Sequence, residues 1–437
     1  MSKDDKKKIY KPRPISGYPE WLPELRRTEQ LMLDKIRSVY ESYGYCNIET
    51  PAVEELEVIA AKGEDVDKEI YVLERLQADP DDKKEARLAL HFDQTVPFAR
   101  YVAMNFNELI FPFKRYQMQK VWRGERPQMG RMREFYQCDI DVINVDALPL
   151  SFDAEVAAIC YEALEALNIG RVQLRISNRK ILSGLLESMD IQDPAPVTRI
   201  IDKMEKIGED EVRKLLSEEG LQDSQVSDII ALAQCKDLSK LKAANETMRE
   251  GIEELSFVME QLSHLPDDAA IADLSIVRGL DYYTGTVYET QLLDVPEFTG
   301  SVCSGGRYDD LAGSYINKKL PGVGISIGFS RLFDVLSQLG NIQPSAKSPA
   351  HVLMVLPSED KRKLASDTAR AIRSRGYNVE LYHAPQKIKK QMAYAEKKGI
   401  PFVWFPPFED GGVHEVKCME TGTQTGADPD SWTPEQK

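Results

Sequence analysis

The sequence predicts an α+β domain, an antiparallel sheet flanked by helices and interrupted by a helical insertion, with a small α/β domain after it. Three observations carry this reading. Two long runs of alternating apolar residues, Phe111–Trp122 and Phe135–Val145, flank the polar loop RGERPQMGRMRE and read as a long β-hairpin. Residues 181–270 keep a helical pattern almost throughout. Beyond the linker-like NIQPSAKSPA, residues 341–350, HVLMVLP, a basic helix, YNVELYH, a second basic helix and FVWFPP alternate as strand, helix, strand, helix, strand. The 437 residues suffice for two or three domains of about 150 residues each.

The elements follow in order. Residues 1–20 are polar and Pro-rich and are expected to be a flexible tail. A helix begins at Pro23, which suits a first turn; Leu25, Met32, Ile36, Val39 and Tyr43 recur at helical spacing, and Gly44 supplies the stop. Tyr45–Thr50 reads as a strand ended by Pro51, which cannot donate to a ladder. Residues 74–87 are a charged turn between hairpin strands, and Ala89–Phe92 is a short strand before the long hairpin. Asp153 is read as the cap of a helix on which Val156, Ile159, Cys160, Ala163, Leu164 and Leu167 share a face, stopped at Gly170. Strand signals return at Ile276–Thr290 and Gly322–Gly328. The expected domains are therefore a core over 21–340 interrupted by the insertion 181–270, a linker 341–350, and a second domain 351–437 with a frayed end from about Thr421.

Composition narrows the function. A hydrophobic share of 42 % and a charged share of 29 % are those of a globular protein, not a disordered one. No apolar run reaches the about 18 residues of a membrane span, and the basic start MSKDDKKKIYKPRP has no apolar segment behind it, so a cytoplasmic protein without membrane partners is expected. The six cysteines include no C-x2-C pair and the five histidines are dispersed, which argues against a structural metal. The net charge of −15 argues against a general nucleic-acid binder. The insertion, with 20 acidic against 9 basic residues, accounts for most of that charge. Residues 361–398 run the other way, with 11 basic against 3 acidic residues, and offer one patch that can meet phosphates.

Three segments carry chemistry. The hairpin loop holds Arg123, Glu125, Arg126, Arg131 and Arg133; guanidinium groups cannot lose their charge and are rarely buried unpaired, so a loop of four arginines suits polyphosphate. Arg278-Gly279-Leu280-Asp281-Tyr282-Tyr283 and Ser304-Gly305-Gly306-Arg307-Tyr308 join glycines, which let a backbone come close, to arginine and tyrosine donors. Gly322–Leu332 is a glycine-alternating strand running into a helix with Arg331 in its first turn, without the Lys-Ser/Thr of a P-loop.

In this order the segments resemble the histidyl-tRNA synthetase family of class II aminoacyl-tRNA synthetases, from about residue 11 to about 425. The helix and strand ending at Pro51 match motif 1 of the class, the hairpin with Arg123 motif 2, and Gly322–Leu332 with Arg331 motif 3; Arg278–Tyr283 and Ser304–Asp309 match the two histidine signatures. The resemblance implies a class II catalytic fold, a C-terminal anticodon-binding domain, a homodimer built on motif 1, and a two-step reaction. ATP with Mg2+ would activate L-histidine as the adenylate, and the histidyl group would pass to the terminal ribose of tRNA(His). A catalytically inactive paralogue, a regulatory subunit of ATP phosphoribosyltransferase, is the alternative; such proteins typically lack the second domain and the histidine signatures, both present here.

Residue by residue, the resemblance places Arg123 and Arg278 on the α-phosphate as the catalytic pair, Arg331 on the γ-phosphate, and Glu125 at the adenine, with Arg131 also binding ATP. Asp93, Thr95 and Gln137 match the positions for the substrate ammonium group, with Gln94, Tyr282 and Tyr308 at the same pocket. Asp141 and Tyr283 match the readers of the imidazole. Imidazole offers one donor and one acceptor nitrogen, which a carboxylate and a tyrosine hydroxyl complement. The pattern departs at His91, where the family has arginine, and at Asp141, one methylene shorter than the glutamate of many bacterial members.

Overall fold

The computed structural model describes residues 10–60, 69–76, 87–277, 283–298, 300–310, 312–313, 315–409 and 411–434. The chain forms two compact units, Met1–Glu20 with Met32–Ile342, and Trp21–Leu31 with Gln343–Lys437.

The first unit is built on an eight-stranded sheet. Its strands are β1 (Cys46–Asn47), β5 (Phe113–Trp122), β6 (Glu134–Ile143), β7 (Val172–Asn178), β8 (Ala270–Ala272), β9 (Tyr283–Leu292), β10 (Cys303–Tyr308) and β11 (Gly322–Ile327), in the order β1-β5-β6-β11-β10-β9-β7-β8. Only the edge pairs β1/β5 and β7/β8 are parallel. A separate three-stranded sheet takes β2 (Val53–Glu55), β3 (Val72–Leu73) and β4 (Leu88–Leu90). The expected strand 45–50 is thus confined to two residues, and most of the charged turn 74–87 lies outside the described residues.

Helix Ser151–Leu167 packs on this sheet. Its predicted stripe, Val156, Ile159, Cys160, Ala163, Leu164 and Leu167, is buried, and so are Ala157, Ala158 and Tyr161 on its other faces. So broad an apolar surface needs cover beyond the sheet, and helix Glu246–Gln261 packs against it as well. Asp153 is not the cap. It lies within the helix, fully buried, and its carboxylate takes Arg307 Nε at 3.1 Å and Nη2 at 2.6 Å. An acid near a helix start fits both roles, and here the charge partner 154 residues away decides.

The insertion is helical as expected, with helices at Arg179–Ser188, Ala195–Ile201, Met204–Ile207, Glu209–Glu218, Asp223–Ala233 and Glu246–Gln261. Leu186, Val197, Ile201, Val212, Leu216 and Ile229 close a core of its own. The first and last of these helices cross closely at Gly184, where a Cβ would stand 2.4 Å from the Met248 nitrogen.

The second unit holds a five-stranded sheet of β12 (Val352–Met354), β13 (Val379–Leu381), β14 (Phe402–Phe405), β15 (Glu415–Cys418) and β16 (Gln424–Gly426), in the order β13-β12-β14-β15-β16. The first three strands are parallel, connected through helices Arg362–Ser374 and Ile388–Lys398; the last two are antiparallel. The expected fraying from about Thr421 is not seen as far as Trp432, which is packed. Trp432 lies 5.5 Å from Trp404, 5.3 Å from Phe402 and 5.5 Å from Tyr377, ring to ring, and Arg375 takes the carbonyls of Pro429, Ser431 and Trp432. Segment 341–350 is likewise tied down, since Ser345 bonds Thr28 Oγ1 and the Glu24 carbonyl while Arg27 donates to the Ser348 carbonyl. No helix among the described residues is long and apolar enough to cross a membrane.

Candidate active site

The site is laid out by β5, β6 and β11. In register, Arg115, Asp141 and Gly324 lie side by side, as do Gln117, Asp139 and Ser326, so alternation puts Gln137, Asp139 and Asp141 on one face with Arg115 and Ser326. Above this face, at the hairpin loop, the charge changes sign.

There, Arg123, Glu125, Arg131, Gln137, Ser304, Ser326 and Arg331 line a cavity of about 280 Å³ together with Gly130, Met132, Phe135, Ser301, Val302 and Gly328. The Arg123 guanidinium is held between the rings of Phe92, 4.3 Å away, and Phe135, 5.2 Å away. Burial lowers its pKa against the pull of Asp93 and Glu125, yet an arginine keeps its charge. Arg331 does sit in the first turn of a helix, Phe329–Gln338, over the Phe298 ring at 5.2 Å. Burial and then the nearby Arg131 lower its pKa too, with Glu125 opposing. Two guanidiniums that repel each other across a cavity are an anion site. Arg131 reaches Glu125 at 3.6 Å. The loop is braced from several sides: Gly17 accepts from the backbone N–H of Arg133 and Glu134, and Gly130 N–H donates to Asp334. Residues 10–20 are therefore not a flexible tail where Gly17 docks.

A second, smaller cavity of about 20 Å³ adjoins, lined by Thr95, Asp139, Asp141, Tyr283, Ser304, Tyr308, Gly324, Ile325 and Ser326. Ser304 and Ser326 line both cavities and mark their junction. Asp141 binds the fully buried Arg115 at 2.6 Å and accepts from the Tyr308 hydroxyl at 3.1 Å. Burial nevertheless outweighs both partners and pushes its carboxyl up to about 6. The same cause pushes Asp139 up to about 7, against Arg115 and a hydrogen bond with Ser326. Glycine at 324 makes this pocket possible, because a Cβ there would fall 2.1 Å from Asp141 Oδ1.

The residues expected from the sequence divide accordingly. Arg123, Glu125, Arg131, Gln137 and Arg331 come together at the larger cavity, and Thr95, Asp141, Tyr283 and Tyr308 at the smaller. Asp93 accepts the Val96 N–H at 3.1 Å and faces Arg123 and Asp139 electrostatically. Gln94 braces rather than lines: its amide donates to the carbonyls of Gln119 and Gln137. Arg278 and Tyr282 lie outside the described residues. Arg307, read as a donor beside glycines that let a backbone come close, sits in strand β10 and is spent on Asp153. Arg115 and Asp139 were missed. Period-two alternation through Gln137-Cys138-Asp139-Ile140-Asp141 was the signal that could have found Asp139; nothing local marks Arg115. Among the described residues no group of three or more His, Cys, Asp or Glu could hold a metal ion.

Both parts of the chain match known protein families. Residues 17–332 match the histidyl-tRNA synthetase family and residues 351–426 the anticodon binding domain. The histidine–tRNA ligase of Thermobifida fusca is 53 % identical over 434 residues, covering 97 % of this chain and 99 % of that protein. The histidine–tRNA ligase of Micrococcus luteus is 47 % identical, covering 96 % of each. The crystal structure of histidyl-tRNA synthetase from Nostoc sp. PCC 7120 superposes with a TM-score of 0.87 at 40 % identity over 97 % of this chain and 98 % of that one. An ATP phosphoribosyltransferase regulatory subunit/histidyl-tRNA synthetase from Bacillus halodurans, at 22 % identity and a TM-score of 0.73, shares the fold. With both domains matched over nearly their whole length, the chain belongs to the histidyl-tRNA synthetase family.

Proposed function

We propose that this histidine–tRNA ligase makes histidyl-adenylate at the junction of the two cavities and then transfers histidine to tRNA(His). The observation that carries the proposal is the meeting, at Ser304 and Ser326, of a cationic cavity and a carboxylate-lined one. Amino acid and nucleotide then enter from opposite sides, and the histidine carboxylate meets the α-phosphorus where the cavities join. That oxygen attacks the phosphorus in line, the bond to the bridging oxygen breaks, and pyrophosphate leaves. No side chain becomes a nucleophile. Arg123 offsets the charge that builds on the α-phosphate, Arg278 covers its other side, and Arg331 with Arg131 holds the outer phosphates. Glu125 seats the adenine. Asp93, Thr95 and Gln137 hold the ammonium, and Asp141 with Tyr283 reads the imidazole.

Magnesium fits as a companion of the nucleotide. The phosphate cavity offers one lining carboxylate, Glu125, and magnesium commonly takes one or two carboxylates with substrate phosphates for the rest. When bound it would neutralise the leaving pyrophosphate.

For tRNA, the basic segment reduces to one helix. Arg362, Lys363, Arg370 and Lys398 are paired with acids, Lys361 lies within electrostatic reach of Asp360, and Arg373 and Arg375 bond carbonyls, whereas Lys387, Lys389, Lys390 and Lys397 are exposed and make no ion pair among the described residues. These four, at or on helix Ile388–Lys398, meet the anticodon arm. The protein works in the cytoplasm as a homodimer joined through helix Pro23–Ser42 and strand β1. ATP–pyrophosphate exchange with each amino acid in turn tests the assignment: exchange with histidine alone is expected, and exchange with another amino acid, or none, overturns it. Light scattering should give twice the 49.5 kDa chain mass.

A further inference from the structure

We infer that Asp139 binds the substrate directly, its Oδ1 accepting a hydrogen bond from the α-ammonium group of histidine beside Gln137 Oε1. This rests on the proposed activation of histidine and adds a carboxylate that the family resemblance leaves without a role.

Asp139 is 4 % exposed and lines the smaller cavity. Its Oδ1 is a buried acceptor without a partner, and so is Gln137 Oε1, two residues earlier on the same face of β6. Ser326 stands between them, its hydroxyl accepting from Gln137 Nε2 at 3.0 Å and hydrogen-bonding the Asp139 carboxyl. Gln137 and Ser326 line the phosphate cavity, and Asp139 and Ser326 line the acidic one, so the two residues with orphaned acceptors flank the junction.

Buried acceptors left unpaired are costly, and a ligand that satisfies them recovers that cost. The charges facing Asp139 decide which ligand group does so. Arg115, from β5, is bound to Asp141 at 2.6 Å. Asp141 on its own strand and Asp93, ahead of helix Thr95–Met104, both repel a second negative charge there. Gln117 and Ser326 opposite it are neutral. Arg123 lies within electrostatic reach but sits at the phosphate cavity. The position therefore calls for a cation with more than one N–H to donate. A neutral imidazole has a single N–H, and the substrate carboxylate is an anion; the ammonium has the charge and three donors.

The test is calorimetry on the full-length protein with three ligands: histidine, histidinol, which keeps the ammonium and lacks the carboxylate, and imidazole-4-propionate, which lacks the ammonium. Asp139→Asn should bind histidine and histidinol about 10- to 100-fold more weakly than wild type and imidazole-4-propionate within about twofold. Equal losses for all three ligands, or no loss, would overturn the inference. Should the variant fail to fold, the wild-type protein decides. Titrated at pH 7 in buffers of different ionisation enthalpy, and after subtraction of the imidazolium proton that each free ligand carries at that pH, histidinol should release more protons than imidazole-4-propionate, as a cation displaces the proton of Asp139; equal corrected release overturns the inference. Wild-type protein that binds neither histidine nor histidinol would instead overturn the histidine-activating reading on which it rests.

Discussion

Replacing Asp139 by asparagine should make the ligand-free protein more stable at alkaline pH while leaving its stability in acid nearly unchanged. In the folded protein this carboxyl ionises at about 7, against 3.8 as its ordinary value. A group with a raised pKa holds its proton more tightly folded than unfolded. Its favourable contribution is complete below about pH 4 and is lost as the pH climbs to about 7. The difference corresponds to on the order of 4 kcal/mol between the two limits. Asparagine has the same shape and no proton to lose, so the variant should escape that loss. Asp141, at about 6, titrates in both proteins, and with Asp139 neutral its ionisation meets one repelling charge fewer, which separates the curves in the same direction. Urea unfolding at intervals from pH 4.5 to pH 8, followed by tryptophan fluorescence, measures the difference. The two curves should lie closest at pH 4.5 and diverge with rising pH, the variant above the wild type. Saturating histidinol should narrow or reverse that order, because the ligand's charge stabilises the ionised carboxylate only where it exists. Curves running parallel over the whole range would refute the reasoning.

Other expectations follow from the same geometry. Asp141→Asn removes the partner of a fully buried guanidinium; an unpaired buried charge costs about 3–5 kcal/mol, so thermal stability and kcat/KM for histidine should both fall, the latter at least about tenfold, with KM for ATP little changed in pyrophosphate exchange. Arg278→Gln should lower kcat for adenylation by about 10²–10³ with small changes in KM, and transfer from preformed adenylate should suffer less in single-turnover assays. Reversing Lys389 and Lys390 to glutamate should raise KM for tRNA and flatten its salt dependence, with histidine-dependent pyrophosphate exchange intact; equal damage to both reactions would reject the helix as a tRNA contact.

Much of the fold was legible because its signals are periodic. The hairpin strands and the stripe from Val156 to Leu167 repeat over ten or more residues, and the structure returns them with end shifts of a residue or two. The misses share another cause: sequence-distant partners. Asp153 looks like a cap until Arg307 is brought to it, and the polar end of the chain looks frayed until Trp432 lands on Trp404 and Phe402. Ser304-Gly305-Gly306 reads as a place where a backbone comes close, and those glycines lie in a central strand; a Cβ on Gly306 would stand 2.8 Å from the Tyr283 ring. Glycine in a strand marks a close approach, but the sequence does not say to what.

The two cavities give the site a polarity that matches the substrate. Histidine enters as a zwitterion, and its carboxylate must approach a polyphosphate that repels it. A site made only of arginines would relieve that repulsion while accepting the amino acid in either sense. A carboxylate-lined pocket on one side of Ser304 and Ser326, with arginines on the other, removes the ambiguity. On the proposed reading the ammonium is drawn toward Asp139 and Asp93, and the carboxylate is left facing Arg123. The arrangement stores its cost in the ligand-free protein, where Asp139 and Asp141 crowd around Arg115 and both hold their protons above the usual carboxylate range. On this reading an ammonium group is enough to relieve that crowding, and an amino acid at the same time turns its carboxylate toward Arg123. Orientation is thereby fixed before any bond changes, which is what a reaction catalysed by positioning and charge rather than by a nucleophilic side chain requires.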